Sequence, residues 1–164
     1  MKKFGKNTDV FRNPWNIGDL YAYQFNKSIS KKHGLFNHYV VVQKIADIDY
    51  CDNLKFSAVQ VYNRIFINLP KLKDINQLPI LPLCTDIGPD GKKLEPKLFI
   101  PSFDWYHQAT MMYLKDKEFP REHLFFIDNV AIPQKEWQGN QLSDMFWRDF
   151  EELIIEYWLS WNKK

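Results

Sequence analysis

Large rings recur at every second position along residues 20–25 (LYAYQF): Tyr21, Tyr23 and Phe25 fall on one side of an extended chain, Ala22 and Gln24 on the other. A period of two marks a strand with one apolar face. Gly18-Asp19 supplies a turn that launches it. The run Tyr39-Val40-Val41-Val42 is apolar at both parities and β-branched, as expected of a strand covered on both faces. Residues Trp15 to Ile45 therefore predict a β-hairpin. Its loop, Asn26–Asn37, is too long for a tight turn, and Ser28–Lys32 within it predicts one turn of helix.

Downstream, the second strand is expected to run to about Ile48 and to break at Asp49, Cys51, Asp52 and Asn53. Ala58–Leu69 alternates again: Val59, Val61, Ile65 and Ile67 should face the core, with Gln60, Tyr62, Arg64 and Phe66 facing away. Asn63 interrupts the apolar set, which calls for a bulge or a buried partner. Pro70, Pro79, Pro82, Pro89 and Pro96 exclude any long helix from the following section, an ordered loop pinned by Ile80-Leu81-Pro82-Leu83, with an exposed turn at Gly88–Lys93. Lys97–Tyr106 suits a strand broken at Pro101, Thr110–Leu114 a strand or short helix, and Leu124–Ile132 a strand ended by Pro133. Leu142–Trp161 predicts the one long helix. Phe146, Trp147, Phe150, Leu153, Ile154, Tyr157, Trp158 and Trp161 make its apolar stripe, with Ser143 or Asn140 as cap. The expected architecture is α+β: a mostly antiparallel bent sheet or partly open β-barrel of about five to seven strands, with a C-terminal amphipathic helix (142–161) packed on it. Residues 1–14 read as a polar, basic arm, and 15–164 as a single domain.

Composition adds bounds rather than a function. A chain of 164 residues, 45% hydrophobic and 16% aromatic, can bury a core rich in rings and is not a disordered sequence. The net charge of +2, from 22 Lys and Arg against 20 Asp and Glu, is too small to argue for nucleic acid, so any basic footprint must be local. Cys51 and Cys84 lack CxxC spacing and no stretch resembles a signal peptide, making cytoplasmic residence with reduced thiols the expectation. Glu151, Glu152 and Glu156 interrupt the apolar C-terminal segment, so no membrane span is expected. Oligomeric state is left open.

Motifs for catalysis are lacking. His33, His38, His107 and His123 show no i, i+4 pair, which argues against a metal site. There is no G-x-S-x-G, the contexts DYCDN and PLCTD disfavour a thiolate, and no phosphate-binding glycine loop occurs, so no cofactor is expected. Asp47, Asp49, Asp52, Asp104 and Asp128 are carboxylates that sequence alone cannot pair. An enzyme whose site converges only in three dimensions remains an alternative. So does a barrel for single-stranded nucleic acid, with Tyr21, Tyr23 and Tyr39 beside Lys27, Lys31, Lys32 and Lys44, although a core role for these rings ranks ahead. Two stretches suit a protein partner: Lys31, Lys32, His33 and His38 in the first loop, and the ring-rich cluster Asp104, Trp105, Tyr106 and His107.

The stretch W-N-I-G-D-L-Y-A-Y-Q-F at Trp15–Phe25, followed by Y-V-V-V-Q-K-I at Tyr39–Ile45, resembles the opening of a group of uncharacterised bacterial proteins with a Trp-x-x-Gly-Asp start and a closing aromatic helix. More distantly, the Gly18-Asp19 strand start is similar to that of the immunity protein 26 family of polymorphic-toxin systems. The resemblance covers about the first third of the chain and the last helix; the Pro-rich middle has no counterpart in it. It implies a β-rich, non-enzymatic inhibitor that binds one cognate toxin.

Overall fold

The computed structural model describes residues 15–51, 54–81, 109–113, 120–131, 143–145 and 147–162. Five strands form an antiparallel path in the order β6-β1-β2-β3-β5: β1 (Asp19–Gln24), β2 (Tyr39–Cys51), β3 (Leu54–Phe66), β5 (Ala109–Tyr113) and β6 (Leu124–Asn129). β4 (Ile80–Leu81) pairs with β3 off this path, and β7 (Ser143–Met145) extends the sheet beyond β5 in parallel. The predicted hairpin is β1 and β2, in register Tyr21 with Val42 and Tyr23 with Val40. One turn of helix, α1 (Ser28–Lys32), lies in its loop as expected. The sheet is open, and the C-terminal helix α3 (Trp147–Asn162) packs on one face.

Alternation places Tyr21, Tyr23, Phe25, Val40, Val42, Val59 and Val61 on the face that α3 covers with Trp147, Phe150, Ile154 and Ile155. The rings interlock edge to face, Tyr23 with Phe150 at 5.0 Å and Tyr21 with Phe126 at 5.4 Å between centroids. Each fully buried side chain of this set contributes roughly 1.5–3 kcal/mol of transfer free energy. The opposite face is covered too. Leu20, Val41 and Phe66 pack with Ile75 of the short helix α2 (Leu72–Ile75), which explains why Val40, Val41 and Val42 are all inaccessible to solvent.

Long strands bend at bulges. Val40 pairs with Ile65 but Val42 with Val61, so β3 carries two extra residues around Asn63. The Asn63 side chain also finds a partner, accepting from Asn162 Nδ2 at 2.8 Å, while its backbone N–H donates to Pro79 O. Four expectations change. β2 runs on through Asp49 to Cys51, paired with Lys55 and Leu54, in place of the break expected after Ile48. Ile67 lies beyond the end of β3 and is 73% exposed, because the strand stops at Phe66. Gln60 and Phe66 are buried rather than solvent-facing, because α2 covers their side of the sheet. Residues Ser143–Met145 pair with β5 in place of a first helical turn, so helix begins at Trp147. The N-terminal arm, Cys84, the turn at Gly88–Lys93 and the strand expected at Lys97–Tyr106 lie outside the described residues.

Candidate functional site

The Trp-x-x-Gly-Asp stretch builds a corner of the fold. Trp15 is buried against Tyr21 and Trp147 and donates from its indole to Ser57 Oγ at 2.9 Å. Asn16 and Asp19 bond reciprocally: Asn16 N–H donates to Asp19 Oδ2, and Asp19 N–H to Asn16 O. Between them Gly18 sits at φ +94°, a region that only glycine enters without strain, and a Cβ there would lie 2.6 Å from Val130 O. Gly18 N–H donates to Lys44 O, and Gly18 O accepts from Val130 N–H. One glycine therefore ties β1 to β2 and to the end of β6.

A second construction holds the β1–β2 loop. Glu151 lies in the middle of the apolar stripe of α3 and is completely buried. Its Oε1 accepts from Asn26 N–H at 2.7 Å and from the Tyr23 hydroxyl at 3.1 Å, and its Oε2 accepts from Lys27 N–H at 2.8 Å. Burial, reinforced by this carboxylate, pushes the Tyr23 phenol well above its ordinary range, keeping it a donor. Lys27 Nζ reaches back to Arg148 O at 2.6 Å. Glu151 thus fixes the backbone from which α1 springs, and α1 with the following turn projects outward. Lys31, Lys32 and His33 are exposed, the Lys31 ammonium lies 4.6 Å from the Phe36 ring, and His38 is half-buried with Nδ1 3.1 Å from Phe36 O.

Four of the residues expected to meet a partner, Lys31, Lys32, His33 and His38, therefore share one loop. The other four, Asp104, Trp105, Tyr106 and His107, lie outside the described residues. Tyr21, Tyr23 and Lys44, considered for stacking and for contacting a nucleic acid, are 6%, 1% and 1% exposed, with Lys44 Nζ donating to Trp15 O. Among the described residues no cluster of three or more His, Cys, Asp or Glu side chains could hold a metal ion. No helix among them is long and apolar enough to cross a membrane. The two buried carboxylates named above serve structural donors, Glu151 as described and Asp19 through Asn16 N–H and Asn129 Nδ2.

On the face opposite α3, a cavity of about 560 Å³ opens between the sheet and the α2 segment, lined by Leu20, Tyr62, Leu72, Ile75 and Val130, with Gln60 among its walls. Sequence reasoning missed it and missed Glu151. The signal for Glu151 was present: it stands four residues after Trp147 and four before Ile155, in the centre of the stripe. No family model, curated protein or solved structure matches the chain, so the reading of these sites rests on their geometry.

Proposed function

We propose that this is a non-enzymatic bacterial binding protein that docks an acidic surface of a protein partner on the loop Lys31–His38, in the manner of an immunity protein occluding a cognate toxin. The observation that carries this reading is the Glu151 anchor: a fully buried carboxylate accepts from two backbone N–H groups of the loop, Asn26 and Lys27, and from Tyr23 of β1, and the loop's own outward side chains are cations and a ring. Holding such a loop in one geometry lowers the ordering cost of association. Its Lys31, Lys32 and Phe36 offer the charge complementarity and ring contact that protein interfaces use. Burial of Tyr21, Tyr23 and Lys44 removes two of the three stacking faces and one cation that a single-stranded nucleic acid would need, leaving the half-buried Tyr39, which favours a protein partner.

Co-expression with the product of the neighbouring gene, followed by pull-down, tests the proposal. A complex is expected for the wild-type chain, and loss of that complex for the double charge reversal Lys31→Glu, Lys32→Glu. Absence of a wild-type complex, or an unchanged one with the reversed charges, would count against it.

A further inference from the structure

The cavity beneath α2 has a polar end whose hydrogen bonding can be followed atom by atom. Gln43 is 2% exposed, and its amide N–H₂ donates to two backbone carbonyls, Gly18 O at 3.1 Å and Val130 O at 3.2 Å. Carbonyls only accept, so the orientation of the Gln43 amide is fixed. Its Oε1 then receives Gln60 Nε2 at 2.8 Å and the Tyr62 hydroxyl at 3.2 Å. That in turn fixes Gln60: its nitrogen is taken by Gln43, and its Oε1, on a side chain 5% exposed in the cavity wall, accepts no hydrogen bond. Tyr62 has given its proton to Gln43, so its oxygen can only accept as well. A buried acceptor without a donor is rare and costly in a folded protein.

The remaining walls are mostly aliphatic, Leu20, Leu72, Ile75 and Val130 among them, with the polar Asn76 and Gln77 at the α2 side, and Leu72 and Val130 are each 40% exposed. Lys73 stands at the mouth and disfavours a cation. The volume falls in the range of roughly 300–1,000 Å³ typical of small-molecule sites, which pair apolar walls with a few placed polar groups.

We infer that this cavity binds a small, uncharged or anionic ring compound that buries its apolar body against Leu20, Ile75 and Val130, draws the Gln60 amide toward the cavity and donates one N–H or O–H to its Oε1. This site lies on the face of the sheet opposite α3 and is independent of the loop proposed to dock a protein. Indole and benzofuran are suitable probes, because they share a shape but only indole carries an N–H. The full chain, isotopically labelled, is titrated with each and followed by NMR at Leu20, Tyr62, Ile75, Val130 and the Gln60 side-chain amide. Saturable shifts centred on these residues are expected with indole, and at least fivefold weaker binding with benzofuran. In Gln60→Met the advantage of indole should vanish while apolar binding remains. Should that variant fail to fold, the two probes on the wild-type chain still decide. Equal affinities there, or no saturable shift with either probe, would overturn the inference.

Discussion

Replacing Glu151 by Gln keeps the shape of the side chain and removes its charge and one acceptor. Oε1 now serves Asn26 N–H at 2.7 Å and the Tyr23 hydroxyl at 3.1 Å, while Oε2 serves Lys27 N–H at 2.8 Å. A Gln carbonyl can keep the first two, but its –NH₂ then meets Lys27 N–H donor to donor. One charge-assisted bond, about 1.5–3 kcal/mol, is lost, and an unsatisfied donor in a buried setting adds about 1–3 kcal/mol. The two surviving bonds weaken to neutral ones. The expected destabilisation is about 3–5 kcal/mol, a large share of the roughly 5–15 kcal/mol that holds an ordinary domain. Urea unfolding of the wild type and Glu151→Gln measures it. Amide hydrogen exchange locates it, since Asn26 and Lys27 N–H should be protected in the wild type and Lys27 N–H should lose protection in the variant. A cycle with Tyr23→Phe should show coupling of about 0.5–3 kcal/mol through the shared oxygen. A variant within about 1 kcal/mol of wild type, with Lys27 N–H still protected, would refute the anchoring role of Glu151.

Three other outcomes follow from the same contacts. Gly18→Ala must hold φ near +94° with its Cβ 2.6 Å from Val130 O, and should lose at least about 2 kcal/mol in the same urea assay. Stability should fall above pH 10: burial pushes the Tyr62 phenol from 10.0 up to about 12, so the folded chain keeps a proton that the unfolded chain releases. The contribution is complete below pH 10 and is lost between about pH 10 and 12, Tyr21 and Tyr23 act in the same direction, and Tyr62→Phe should blunt the loss in a pH series of unfolding curves. Lys31→Glu with Lys32→Glu should cost no more than about 1–2 kcal/mol, the worth of the exposed Lys31–Phe36 contact and of two cations in the last turn of α1, so the fold is retained and a loss of binding reports the surface.

How much was legible depended on range. Tyr21, Tyr23 and Phe25 announced β1 because alternation is local, and Trp147 to Trp158 announced α3 for the same reason. Gln60 read as solvent-facing because nothing near it in sequence says that Ile75 and Leu78 return to cover that face. Ser143–Met145 read as helix because its pairing with β5 is a long-range backbone contact, which carries no side-chain period. Glu151 looked like an interruption of an apolar stripe, since the donors that justify its burial, Asn26 and Lys27 N–H, lie more than a hundred residues away. The Trp-x-x-Gly-Asp stretch was conspicuous because it is a corner that fixes β1, β2 and β6 together. In the proposed docking its part is indirect, through the loop that follows Phe25.

The most direct test of the docking proposal is calorimetric titration of the neighbouring gene product into the wild-type chain and into Lys31→Glu, Lys32→Glu, at low and at moderate salt. The basic-loop proposal predicts a complex of defined stoichiometry that weakens as salt rises and loses at least tenfold in affinity on charge reversal, about 1.4 kcal/mol. Affinity equal for both chains and insensitive to salt, or no heat of binding with the wild type, would contradict it.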